Sequence, residues 1–332
     1  MHIALTYDLR NDYLAEGYGE EETAEFDQPS TIAALEAAIV HHGHTVQRIG
    51  NVRSLTRALA AGRRWDLVFN IAEGLAGFGR EAQVPALLEA HGIAYTFSDT
   101  LVMSVCLHKG FTKDVLRARG IATPDSAVIE QAAQCDALTL APPLFVKPVA
   151  EGTGKGVTPQ GIVHRREDLA AVCASLIERY RQPVLVESYL PGREFTVGVL
   201  GTGARARVLG ALEVVLLPGA QLGVYSYENK EHCEELVEYR LATDATARRA
   251  EAVALAAWRA IGGRDVGRID LRCDQMGAPH LLEINPLPGM HPQHSDLPIL
   301  CTQIGMPYEE LVGAIIDSAC ERVAPLRSSH YG

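Results

Sequence analysis

The sequence predicts an α/β fold that gives way to an α+β one: a parallel sheet flanked by helices in the first hundred residues, then paired strands. Three observations predict it. Strand-like and helix-like patterns alternate up to about residue 104, the signature of a parallel sheet with helices on its faces. From about residue 125 the apolar runs come as neighbouring strands, with few helices between them. The chain has 332 residues, 47% of them hydrophobic, which suffices for two or three modules with cores of their own.

His2 to Tyr7 is the first strand. Pro29 to His42 is a helix with Pro in its first turn, where the missing N–H costs nothing, and Gly43 as its stop. Between them, Asn11 to Asp27 is rich in Glu and Gly and reads as a loop. Thr45 to Ile49 and Asp66 to Ile71 follow as strands. Two glycine-bearing loops come next, then a helix over 108–119 that ends at Gly120 before the Thr123-Pro124 break. Further strands are predicted at Leu144 to Val149, Gly161 to His164, Val184 to Ser188, Glu194 to Leu200 and Ala206 to Leu217, with a helix near 166–180. Residues 218–242 are polar and lack clear periodicity; such a length without structure inside a compact domain is usually a lid or a binding loop. Helix 244–261, strands Val266 to Cys273 and His280 to Asn285, a proline-rich loop and a helix near 307–322 follow.

The seven cysteines are scattered, odd in number and free of any Cys-x-x-Cys pair, which argues against a disulfide framework and a zinc knuckle and for a reducing, cytoplasmic compartment. The first residues lack the basic start and apolar middle of a signal peptide, and no apolar run approaches the roughly 20 residues needed to span a bilayer. A net charge of −11 with dispersed basic pairs disfavours nucleic acid and anionic membranes as partners. A homodimer is the expected assembly.

Two clusters carry chemistry. Phe145-Val146-Lys147-Pro148 followed by Glu151-Gly152-Thr153-Gly154-Lys155-Gly156 sets a lysine at a strand end before a turn with three free backbone N–H groups. Turn amides that cradle oxygens and a lysine that neutralises them suit a polyphosphate; the plainer alternative is a glycine-rich hairpin. It is not a Walker A loop, because Val149 and Gly156 stand where that motif needs Gly and Ser or Thr. In the second cluster, Asp270, Glu283 and Asn285 lie on two adjacent strands at positions of one parity, so they share a sheet face. Two carboxylates and an amide oxygen suit Mg²⁺ held between protein and phosphates. Arg268 shares that face, where a guanidinium meets the charge of a tetrahedral or acyl-phosphate species. Ile269, Leu271, Leu281 and Leu282 are expected in the core beneath.

Taken in order, Lys109, Phe145-Val-Lys147-Pro, Glu151-Gly-Thr, Val186-Glu187-x-x-Leu190, Glu194-Phe-Thr-Val, Tyr225-x-Tyr-Glu-x-Lys230, Gly267-Arg-Ile-Asp270 and Leu282-Glu-Ile-Asn285-Pro-Leu-Pro-Gly-Met resemble the D-alanine–D-alanine ligases of the ATP-grasp superfamily. The resemblance implies an ATP-grasp fold: an N-terminal parallel α/β domain (1–104), a central subdomain (105–185) and a C-terminal subdomain (186–325). It implies that Lys109 and Lys147 contact the phosphates of ATP, with Glu151 and Gly152 in the loop over them. Glu187 and Leu190 would line the adenine pocket and Glu194 bind the ribose. Lys230 would reach the γ-phosphate; Asp270, Glu283 and Asn285 would hold two Mg²⁺ ions, with Mn²⁺ as a substitute, and Arg268 the reacting oxyanion. The implied chemistry is phosphorylation of a carboxylate by ATP, then attack of an amine on the acyl phosphate.

Departures from the family fall on substrate positions. Thr153 stands at a serine of the glycine loop and Glu231 after Lys230 where the family has tyrosine. The serine that holds the second substrate's carboxylate lies in a rebuilt segment, His291-Pro-Gln-His294-Ser295-Asp296, just after Gly289. Phe69-Asn-Ile-Ala-Glu73-Gly74 and Gly77-Phe-Gly79-Arg-Glu81 stand at the family's His-Gly substrate loop, and Asp27, Gln28 or Ser30 near its amine-binding glutamate. Substrate contacts are thus expected from Glu73, Gly289, His294 and Ser295. His291, His294 and Asp296 offer metal ligands, but proline breaks their spacing. The glycines of Gly74-x-x-Gly77-x-Gly79 are in the wrong order for a nicotinamide site. Alternatives are a ligase for other acids or amines, or an ATP-binding module without turnover.

Overall fold

The computed structural model describes residues 1–221 and 223–328, except the side chains of Glu231 and of residues 324–328. The N-terminal part comprises β1 (His2–Thr6), α1 (Arg10–Ala15), α2 (Pro29–His41), β2 (Thr45–Gly50), α3 (Val52–Ala60), β3 (Leu67–Asn70), α4 (Gln83–Ala90) and α5 (Thr100–Leu107). Its three strands are parallel in the order β2-β1-β3. On one face Ile3, Leu5, Leu67 and Phe69 meet Ile32, Leu35 and Ile39 of α2; on the other Ala4 and Val68 meet Leu55, Leu59, Val84 and Leu88. Residues 11–27, expected to be a loop, instead begin with α1, and Leu9 bridges Asp27 in parallel.

Next come α6 (Lys109–Ala118), β4 (Ser126–Ile129), β5 (Leu144–Pro148), β6 (Ile162–Val163), α7 (Leu169–Tyr180) and β7 (Val184–Ser188), whose strands form an antiparallel sheet in the order β4-β7-β5-β6. The break expected after residue 185 falls inside β7, so this sheet runs through Ser188. The last part holds β8 (Glu194–Leu200), β9 (Arg207–Leu216), α8 (Tyr227–Glu231), α9 (Cys233–Leu236), β10 (Val237–Leu241), α10 (Ala245–Ile261), β11 (Val266–Cys273), β12 (Pro279–Asn285), α11 (Asp296–Gln303) and α12 (Tyr308–Ser328). Its sheet is antiparallel, β10-β9-β8-β11-β12.

The 218–242 segment is therefore not structureless. It carries two short helices and an edge strand paired to β9, Val237 opposite Leu216. Helices of four or five residues are too short to show a period, but Val237-Glu-Tyr239-Arg-Leu241 does alternate as a half-buried strand should.

α10 sits on this sheet because its inner stripe is small. Asp244 caps it, accepting from the Thr246 and Ala247 amides, and Ala247, Ala250, Ala254 and Ala257 are fully buried one turn apart. Trp258 fills the remaining space at 0% exposure, and a Cβ on Gly267 would lie 2.2 Å from its ring. The glycine before Arg268 is thus a steric requirement of the sheet under α10. α12 leaves the C-terminal part and packs Leu311, Val312, Ile315 and Ile316 against the core of β1, β3 and α2.

Candidate active site

The face of β8, β11 and β12 turned away from α10 supplies the floor of a cleft. Asp270 lies opposite Glu283, and Arg268 opposite Asn285, while β8 places Thr196 opposite Asp270 and Glu194 opposite Arg272. Residues of the other parity, Ile269, Leu271, Phe195, Val197 and Ile284, are 0–2% exposed under α10. A bulge beside Asp270 interrupts the β11–β12 register, and past it Leu282 lines the cleft rather than the core expected for it. Leu281 is buried as expected.

Asp270 is held from three sides. Arg268 donates to both oxygens at 3.1 and 3.0 Å, Thr196 Oγ1 donates at 2.7 Å and Asn285 Nδ2 at 3.2 Å. Burial nonetheless raises the Asp270 carboxyl, with Glu283 adding to it and Arg268 opposing. Burial also works against Glu283, but Lys109, Lys230 and Lys147 hold it below the usual carboxylate range. Lys109 Nζ is 3.2 Å from Glu283 and donates to the Glu151 carbonyl at 2.5 Å. Arg268 also reaches Asp296 at 3.4 Å.

On one side the cleft is lined by Phe145, Lys147, Glu187, Leu190, Glu194, Val224 and Leu282. Glu187 is its buried hub, 2.8 Å from Lys147 Nζ and 3.0 Å from Lys113 Nζ. Sequence reasoning missed Lys113. The signal was its position one helical turn after Lys109, on the same face of α6. Burial pushes the Lys113 ammonium down to about 8, against the pull of Glu187. Glu194 pairs with Arg272 at 3.4 Å.

On the other side the lining includes Glu25, Glu73, Glu81, Thr153, Gly289, His294 and Ser295. Glu25, rather than Asp27, Gln28 or Ser30, lines this side. Its carboxylate accepts from the Gly152 amide at 2.6 Å and pairs with Lys155 at 3.2 Å and Arg80 at 2.9 Å. The Gly152 amide, and that of Lys155, which donates to the Gly152 carbonyl, are therefore engaged within the protein. No lysine or arginine lies within ion-pair distance of Glu73 or Glu81 among the described residues. Burial raises both carboxyls, Glu81 to about 7, and their mutual repulsion adds to the rise of Glu73.

The 218–242 segment roofs both sides. Lys230 Nζ lies 4.6 Å over the Tyr225 ring and lines both compartments. A Cβ on Gly154 would sit 2.8 Å from the Tyr227 amide nitrogen, so roof and glycine turn touch. Tyr225 contacts Tyr239 and donates to Asp296 at 3.4 Å. Ser295 Oγ accepts from the His291 amide at 3.0 Å and would be 2.7 Å from a Cβ on Gly289. The Glu231 side chain lies outside the described residues. The His291, His294 and Asp296 trio is not assembled. Asp296 pairs with Arg268, His291 Nδ1 takes the Gln293 and His294 amides, and His294 turns to Cys233 and Glu234. All the other residues expected at the site line one compartment or the other.

Solved structures share this architecture. The D-alanine–D-alanine ligase of Bacillus anthracis superposes with a TM-score of 0.74 at 21% identity, covering 97% of this chain and 98% of that one. The VanG D-Ala:D-Ser ligase of Enterococcus faecalis gives 0.72 at 20% identity, over 96% and 99%. Fold and cleft together define an ATP-grasp enzyme, an ATP-dependent ligase that forms carbon–nitrogen bonds. The model of the D-ala D-ala ligase C-terminus matches residues 115–317. A D-alanine–D-alanine ligase of Bordetella petrii is 36% identical over 83% of this chain and 82% of its own length, and one of Xylella fastidiosa is 33% identical over 83% and 88%. The chain belongs to the D-alanine–D-alanine ligase family.

Proposed function

We propose that the chain phosphorylates the carboxylate of one amino-acid-like substrate and passes its acyl group to the amine of a second. The juxtaposition of Asp270, Glu283, Asn285 and Arg268 on one sheet face with Lys109, Lys147 and Lys230 brought to it from other elements carries this reading, and this intact set disfavours a binding module without turnover. A carboxylate oxygen attacks the γ-phosphorus, the bond to the β–γ bridging oxygen breaks and ADP leaves. The amine then attacks the acyl carbon, phosphate departs and the amine loses a proton. In such chemistry the protein mainly positions groups and neutralises charge.

The side holding Glu187, Leu190 and Glu194 takes adenine and ribose; Lys109, Lys147, Lys230 and the turn of Glu151, Gly152 and Thr153 take the phosphates. Asp270, Glu283 and Asn285 suit two Mg²⁺ ions, since all offer hard oxygens and the Asn285 nitrogen is turned to Asp270, away from its own free oxygen. Mg²⁺ supplies charge neutralisation on the transferred phosphate. Arg268, which pairs with Asp270 and Asp296, takes the reacting oxyanion.

The two sides measure about 160 and 80 Å³, below the roughly 300–1,000 Å³ of ligand pockets. As a lid, the 218–242 roof lifts to admit ATP and closes to keep water from the acyl phosphate. Glu73 and Glu81, without an ion-pair partner among the described residues, receive an ammonium of the substrate. Gly289, His294 and Ser295 border the second substrate. The rebuilt segment and Glu231 favour a pair other than two D-alanines. A division into three parts, with the first boundary near residue 104 and the second moved past Ser188 to the end of β7, a homodimer and a cytoplasmic location complete the proposal; no helix among the described residues is long and apolar enough to cross a membrane.

An ADP-release screen across L- and D-amino acids and amines, with mass detection of products, tests the function. A pair other than D-alanine with itself should show the highest kcat/KM. ADP release with no condensed product from any pair would overturn the ligase assignment, and D-alanine with itself as best pair would overturn the substrate assignment.

A further inference from the structure

Cys233 and Glu234 lie in α9 on the roof, and His294 lies in the segment that carries Ser295. His294 Nδ1 is 3.7 Å from Cys233 Sγ and 3.1 Å from Glu234 Oε1. A protonated ring nitrogen has one hydrogen to share between the two, in a three-centre bond weaker than either direct one. A metal ion serves both at once. Zinc bonds of about 2.3 Å to sulfur and 2.0–2.2 Å to nitrogen or oxygen, set at tetrahedral angles, put neighbouring donors roughly 3.3–3.6 Å apart. The two distances bracket that spacing. All three donors lie within 4.8 Å of one another, and among the described residues no other group of three His, Cys, Asp or Glu donors does so.

We propose that Cys233, His294 and Glu234 form a site for a zinc-type divalent cation, which fastens the roof to the substrate-side segment. Thiolate and imidazole donors select such an ion over Mg²⁺, so the site is chemically separate from the oxygen cluster of Asp270, Glu283 and Asn285. Cys233 is 4% exposed and packs with Val214, Tyr225 and Val237, which shields the sulfur, whereas Glu234 is exposed and gives the ion a route in from solvent. Water completes the coordination. The bound ion joins α9 to a stretch that reaches Arg268 through Asp296, so it holds the cleft shut and slows turnover.

The ion site stands on the geometry alone, while the fastening rests on the reading of 218–242 as a lid; two measurements separate them. Metal-free, reduced protein is titrated with Co²⁺. One equivalent is expected to give a thiolate-to-cobalt charge-transfer band that is lost in Cys233→Ser, with Co²⁺ affinity at least roughly tenfold weaker in Glu234→Gln, a change at an exposed position that spares the fold. No band, or one unchanged in Cys233→Ser, overturns the site. Proteolysis of 218–242 without nucleotide is then compared with and without Zn²⁺. Protection in the wild type that is absent in Cys233→Ser supports the fastening; equal cleavage overturns it and leaves the cobalt result to stand.

Discussion

Glu187→Gln removes the one negative charge shared by two buried ammonium groups. Its oxygens lie 2.8 and 3.0 Å from Lys147 and Lys113, and the three residues are 2%, 5% and 0% exposed. At an effective dielectric of about 20 each contact corresponds to about 6 kcal/mol of attraction, largely offset by desolvation, so removing one partner costs about 3–5 kcal/mol. At roughly 2–4 °C per kcal/mol, the melting temperature falls by roughly 6–20 °C. The loss depends on pH. Lys113 already sits near 8 in the native protein, and without its carboxylate it falls further. From that lower value up to about 10.4 the unfolded variant holds a proton that the folded variant has released, so stability rises with pH. The deficit against wild type should therefore shrink between pH 6 and pH 8.5. Urea titrations at the two pH values, with KM for ATP measured alongside, provide the check. A variant that melts within 2 °C of wild type at both would show that Glu187 is not the counter-ion of this hub.

Asp270→Asn or Glu283→Gln should abolish ADP formation, since a lost metal ligand removes several kcal/mol of charge neutralisation, while the circular dichroism spectrum stays that of wild type; full activity in both variants would sink the metal assignment. KM for an ammonium-bearing substrate should rise by up to about tenfold per unit as pH falls below about 7, because the raised Glu81 carboxyl must ionise to bind the cation. Glu81→Gln should flatten that profile, and an unchanged slope would remove Glu81 from the substrate. Residues 218–242 should resist protease only with nucleotide bound in metal-free protein, and equal cleavage would count against a lid.

How much of this was legible in the sequence depends on the range of the interactions involved. The parity of Asp270, Glu283 and Asn285 follows from local periodicity, and the strands confirm it in register. Leu282 does not follow, because a bulge is a property of pairing that neither strand announces alone. Glu25 was hidden for a related reason: only the folded chain brings the Gly152 amide and Arg80, which lie 127 and 55 residues away, onto one carboxylate. α3, α4, α5 and α11 are eight or nine residues each, close to the length below which a helical period fades. That Glu73 and Glu81 have no ion-pair partner among the described residues required knowing where every cation went.

The docking of α12 onto the first sheet bears on how the protein is made. Ile3, Leu5 and Phe69 share a core with Val312, Ile315 and Ile316, so strands translated before α12 stay partly uncovered until α12 has been synthesised. Assembly cannot run strictly from one end to the other. A nascent chain halted before residue 308 would present an unfinished apolar sheet to chaperones, and the wall of the cleft bearing Glu73 and Glu81 would reach its working shape last.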